Sequence, residues 1–221
     1  MTAAALPGFF QRLLQLLTGL VLFGIGIALM LRAEIGLAPW DVLTQGIERQ
    51  TGWPFGVITV LISLLVLLLW LPLRQRPGWG SVLNAILIGP AVQLGLMMLP
   101  QTQLLHWQVL MFASGLVMIA VATGMYIGAH MGTGPRDGLM IGLHTCTGYA
   151  IWKVRTALEV TVLVVGVALG GTIGWGTLAF ALLIGPLCGF TMPLLDSRGP
   201  HFSALPAARH DPNSDTKKPN T

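Results

Sequence analysis

Residues 35–44, IGLAPWDVLT, and residues 131–140, MGTGPRDGLM, carry the same Gly-x-x-Pro-x-Asp element inside an otherwise apolar chain. The side chains that could do chemistry concentrate there: Gly36, Pro39 and Asp41 in the first copy, and Gly132, Gly134, Pro135, Arg136 and Asp137 in the second. Proline suits the first turn of a helix, where its missing N–H is not needed. An aspartate in that turn complements the positive end of the helix dipole, and the glycines permit a sharp entry. Each element therefore predicts the start of a short helix, at Pro39 and at Pro135. In secondary transporters, two such helix starts pointing inward from opposite faces form a site for a polar solute. The plainer account lays both helices flat in the membrane interface, with Asp41 and Asp137 as capping residues. Arg136 opposes the dipole, so it calls for an anionic ligand, a lipid headgroup or a carboxylate partner, or else it anchors topology on the cytoplasmic side. Trp40 stands at the equivalent place in the first copy, so the two are not functionally equivalent.

Two further features could contribute. Gly89-Pro90 and Gly185-Pro186 lie well inside apolar segments. Proline there removes a helix hydrogen bond and frees a carbonyl that could hold a cation or polar solute, although glycine and proline also serve packing in membrane helices. Glu159 is an ionisable group within a span. It sits four residues after Arg155, so it is read either as the partner of that arginine or as a coupling carboxylate. Asn84 and Gln93 are neutral polar candidates for packing or lining. His130 and His144 read as interfacial, and Arg32 and Glu34 as a pair.

The elements that must position these residues come from a repeat. A shift of 96 residues takes Gly36, Pro39, Asp41, Leu43 and Gly46 onto Gly132, Pro135, Asp137, Leu139 and Gly142 without a gap. The same shift takes Gly78-Trp79-Gly80 onto Gly174-Trp175-Gly176, and Leu87-Ile88-Gly89-Pro90 onto Leu183-Ile184-Gly185-Pro186. Apolar composition alone would not align tryptophan, aspartate and proline in one register. Each half holds three long apolar segments, near 13–31, 56–73 and 81–99, then 106–128, 152–170 and 177–195. Segments 39–50 and 135–148 are too short to cross a bilayer.

Composition sets the class. Only 9% of residues are charged and 54% are hydrophobic, with a mean hydropathy of +0.76, whereas soluble domains carry about 25% charged residues. The partner is then the lipid bilayer, and the net charge of +4 is no argument for nucleic acid. With the N-terminus inside, ten of the twelve basic residues fall on the inner side, among them Arg12, Arg74, Arg76, Arg136, Lys153 and Arg155, against Arg32 and Arg49 outside. That asymmetry predicts six spans with both termini cytoplasmic. Trp53, Trp107 and Trp175 are expected at outer ends, and Trp70, Trp79 and Trp152 at inner ends. Three spans per half is an odd number, so the halves must point in opposite directions.

The expected fold is an all-α membrane protein of six transmembrane helices. It comprises a cytoplasmic N-terminus (1–12), two inverted three-helix repeats (13–99 and 106–195), each with a short re-entrant or interfacial helix, and a flexible tail (197–221). The N-terminal apolar stretch reads as the first span, not a cleaved signal. Cys146 and Cys188 have no metal or redox spacing and read as small buried hydrophobes. No enzyme signature, cofactor motif or metal cluster is found.

The stretches IGLAPWDVLTQGI and MGTGPRDGLMIGL resemble the YczE-like membrane proteins of bacteria, a group with YyaS and YitT, and the resemblance runs to about Pro193. It implies a bacterial inner-membrane protein and carries over no functional residue. The expected function is a small secondary transporter or permease-like protein with an unknown small solute bound between the repeats. The alternatives are a membrane accessory protein supporting a partner enzyme or complex, and a substrate-binding subunit of a vitamin importer. A homo-oligomer or a membrane partner protein is compatible with each.

Overall fold

The computed structural model describes residues 8–197. Among them are eight helices in the order α1 Phe9–Ala33, α2 Pro39–Thr51, α3 Phe55–Leu69, α4 Trp79–Met98, α5 Leu105–Gly128, α6 Pro135–Thr147, α7 Ile151–Ala168 and α8 Trp175–Leu195, and no strand. The tail beyond Ser197 and the first seven residues lie outside the described residues.

Four helices, α1, α4, α5 and α8, are each long and apolar enough to cross a bilayer. A fifth candidate is the pair α2–α3, bent by 119° at its break. The expected second and fifth spans are less clear by length and composition. Helix α3 has 15 residues, short of the roughly 20 that a span requires. Helix α7 has 18 but carries Lys153, Arg155 and Glu159. The first helix begins at Phe9, so Arg12 lies inside it, where its guanidinium donates to the carbonyls of Ala129 (2.7 Å) and His130 (2.8 Å).

The centre of the molecule is the α1–α5 pair, flanked by α4 on α1 and α8 on α5. Small residues let these backbones approach, as membrane helices require in the absence of a hydrophobic drive between them. A Cβ added at Gly26 would lie 3.0 Å from the carbonyl oxygen of Gly115, and one added at Gly115 would lie 2.7 Å from that of Gly26. Side chains such as Leu65, Leu68, Leu105, Leu182 and Phe190 point outward and are exposed, as a lipid-facing surface demands.

The sequence repeat recurs in backbone geometry. Glu34 and His130 have φ of 56° and 52°, Gly36 and Gly132 of 142° and 137°, and Gly52 and Gly148 of 71° and 72°. Each pair is separated by 96 residues. The loop before each short helix docks on the start of the other half's last helix. Gly176 N–H donates to Ile35 O and Gly80 N–H to Met131 O, both at 2.9 Å. Each half thus holds the other's loop in place.

Several finer expectations are corrected. Trp70 is 3% exposed, not interfacial. Its ring covers Gly138 and its indole N–H donates to Pro135 O at 3.0 Å, so it clamps the start of α6. Cys146 is exposed rather than buried. Arg32 donates to the Leu96 carbonyl and not to Glu34.

Candidate functional site

Helices α2 and α6 start where the sequence places them, at Pro39 and Pro135, with the extended residues Ala38 and Gly134 as N-caps. Neither N-cap supplies a side-chain cap. Each helix buries one face in the protein: α2 buries Pro39, Trp40, Asp41, Val42, Thr44 and Gly46, and α6 buries Pro135, Gly138, Leu139, Met140 and Gly142. Helix α2 packs along α7 and α6 against α3.

Both helix starts open on one cavity of about 490 Å³. Its wall is built in repeat-related pairs: Ala38 with Gly134, Pro39 with Pro135, Trp40 with Arg136, Thr59 with Arg155, Ser63 with Glu159 and Ile88 with Ile184. The cavity therefore straddles the line between the halves. At each of three places the first half contributes a neutral side chain, Trp40, Thr59 or Ser63, and the second half a charged one. The volume is that of a small-molecule site.

Among the described residues, one ion pair crosses between the halves. Arg136 Nη2 lies 3.5 Å from Asp41 Oδ1, with side-chain exposures of 25% and 3%. The Arg136 guanidinium also stacks 5.1 Å from the Trp40 ring. Of the reasons that Arg136 calls for, the carboxylate partner is the one found. Asp137 Oδ2 accepts the Tyr126 hydroxyl at 3.0 Å. Arg155 Nε donates to Glu159 Oε1 at 2.9 Å, the i,i+4 pair expected from spacing.

The sequence-selected residues thus divide. Pro39, Gly134, Pro135, Arg136, Asp137, Glu159 and Gly185 line the cavity. Asp41 is buried beside it through Arg136. Gly36 and Gly132 act one step back, since their positive φ and close backbone contacts with Thr177 and Ser81 seat the loops. Gly89 serves packing against Gly56, and Pro90 and Pro186 lie on exposed faces of unbroken helices. Tyr126, Arg155, Thr59, Ser63 and Cys188 were not selected as site residues, yet they line the cavity too. Applying the 96-residue shift to Glu159 would have found Ser63. Tyr126 and Cys188 carry no signal in the sequence.

Comparison with known proteins places the chain. A family described as "Family of unknown function (DUF6198)" matches residues 10–193. A Haemophilus influenzae protein named "Uncharacterized protein" is 37% identical over 85% of both chains. The Bacillus subtilis "Uncharacterized membrane protein YczE" is 31% identical over 79% of this chain and 82% of its own. The Bacillus subtilis "Uncharacterized protein YyaS" is 28% identical over 80% and 90%. No solved structure matches.

Proposed function

The chain belongs to the family of unknown function DUF6198 and is a YczE-like membrane protein, and from that premise we propose that it is a small secondary transporter. In this reading six spans form two inverted repeats in the bacterial inner membrane, with both termini in the cytoplasm. Helices α2 and α6 are half-helices entering from opposite faces. The solute sits in the cavity where their N-termini meet, and transport requires no bond-making chemistry from the protein.

The observation that carries this reading is the paired wall of the cavity. Residues 96 apart face one space, and the Arg136–Asp41 pair joins the halves across it. Transport by alternating access rocks one repeat against the other around a fixed site. A cross-repeat ion pair of partial exposure, at 3.5 Å, is a contact that such a motion can make and break. The 119° bend between α2 and α3 supports the same picture, since it turns the chain back on itself as a half-helix returning to its own face would.

The experiment is a thermal-shift screen of purified protein against polar and amphiphilic metabolites, followed by uptake into proteoliposomes. A true solute at a hundred times its Kd stabilises by about 2.7 kcal/mol. Its shift should vanish in Arg136→Gln and survive in Leu68→Val, which alters an exposed residue on α3 outside the cavity wall. A protein that no solute stabilises and that passes no solute, yet co-purifies with a membrane enzyme, would be the accessory protein instead.

A further inference from the structure

The two halves differ in one respect that bears on what enters the cavity. In the first half α3 and α4 meet backbone to backbone: a Cβ on Gly89 would strike the Gly56 carbonyl oxygen, and one on Gly56 would strike that of Gly89. The 96-residue shift puts Trp152 where Gly56 stands, keeps glycine at 185, and replaces Gln93 by Gly189. Helices α7 and α8 make no packing contact comparable with that of α3 and α4. A Cβ added at Gly185 or Gly189 meets nothing within 4 Å. Both glycines nonetheless line the cavity, as do Cys188 beside them and Arg155 and Glu159 on α7. The cavity is therefore open sideways, between α7 and α8.

The slot opens on an exposed apolar surface that includes Val160 on α7 and Leu182 on α8. The floor of the slot is charged. The Arg155 and Glu159 side chains are 53% and 29% exposed. Glu159 lies eight residues into α7, about 12 Å along the axis at 1.5 Å per residue. A carboxylate that far along a helix whose outer face is apolar is costly to leave open to lipid unless something polar meets it. The occupant must then offer polar groups to the floor and apolar surface to the opening. The charges are also mixed: Arg136 and Arg155 against Asp137 and Glu159 in one wall. A headgroup of one sign would meet a like charge at close quarters, and a headgroup carrying both signs would not.

We propose that the slot between α7 and α8 is a lateral portal through which a zwitterionic amphiphile enters from the membrane, its headgroup at the Arg155–Glu159 pair and its chain against the apolar surface outside. This rests on the cavity being the solute site, and it names the class of solute.

The test uses the full chain in nanodiscs with lysophosphatidylcholine bearing a diazirine in its tail, and with the same tail on anionic lysophosphatidylglycerol. Light-induced adducts should map to the facing sides of α7 and α8, and labelling by the zwitterion should exceed that by the anion at least fivefold. Gly189→Trp fills the open slot and should cut labelling at least fivefold with an unchanged melting temperature, while Gly189→Ala retains it. Gly185→Phe, in the same open space, repeats the reading if the tryptophan variant folds poorly. The proposal is overturned if the filled slot labels as strongly as the native one, or if the anion labels equally. It is also overturned if filling the slot turns a dimer into a monomer, since the slot would then be an interface between copies. Stabilisation of native and Gly189→Trp protein alike by a water-soluble solute would end the portal and leave the central site standing. The absence of any stabilising solute would end both.

Discussion

Replacing Asp41 by Asn and Arg136 by Gln, singly and together, tests whether the two halves are joined through the cavity wall. Asp41→Asn is isosteric, whereas Arg136→Gln shortens the side chain and uncovers the Trp40 ring. At 3.5 Å and an effective dielectric of about 20, the direct attraction is about 5 kcal/mol. The cost of taking Asp41 out of water offsets much of it, because its side chain is 3% exposed. Arg136 keeps a quarter of its surface exposed, so the net coupling should be about 1–3 kcal/mol. Arg136→Gln should be the more damaging single change, because it strands a nearly buried carboxylate and also removes the stacking on Trp40. The double variant should be less destabilised than the two singles added. The assay is reversible unfolding in mixed dodecyl sulfate micelles, read by circular dichroism. Additivity of the two changes to within about 0.5 kcal/mol would show that the pair does not couple, and the join between the halves would have to be sought elsewhere.

Other outcomes follow from the same geometry. Gly138→Ala places a methyl group into the Trp70 ring and should destabilise by at least 1–3 kcal/mol, about what overpacking costs; a melting curve unchanged from the native protein would contradict the clamp on α6. Gly132→Ala meets both a φ of +137° and the Ser81 backbone, whereas Gly148→Ala, at φ +72°, meets nothing within 4 Å, so the first should cost about 1–3 kcal/mol more in the same unfolding assay. Glu159→Gln should change ligand-free stability by less than about 1 kcal/mol, since its partner is half exposed, but should weaken the thermal shift from any solute that binds the cavity. An unaltered solute shift would return Glu159 to the role of a simple partner for Arg155.

The features legible in the sequence are those that local chemistry fixes. Pro39 and Pro135 start helices because proline at the first turn is a local preference, and both starts fall on the predicted residue. The Arg155–Glu159 pair needed only i,i+4 spacing. The repeat was legible because Gly36 and Gly132 must hold a positive φ that other residues resist, which keeps them in register. The site was half legible. The motif residues were visible, but Tyr126 joins the wall through its bond to Asp137, eleven residues on, and no spacing rule announces that contact. Trp70 misled for a physical reason. Tryptophan at the end of an apolar run is as suited to an interface as to a buried clamp whose indole finds a carbonyl, and only the position of Pro135 O decides between them. The asymmetry between α3–α4 and α7–α8 was written at Gly56 and Trp152, but its meaning depends on which helices pack.

The most direct measurement concerns sidedness. Trp53 and Tyr149 follow α2 and α6 at repeat-related positions, and both are exposed, at 54% and 65%. Trp53→Cys and Tyr149→Cys, each in a background lacking Cys146 and Cys188, are treated with a membrane-impermeant maleimide in spheroplasts, before and after permeabilisation. Two half-helices entering from opposite faces predict that Trp53→Cys labels in intact spheroplasts and Tyr149→Cys only once the membrane is opened. Labelling of both from the same side would contradict the inverted arrangement, and with it the central solute site between the repeats.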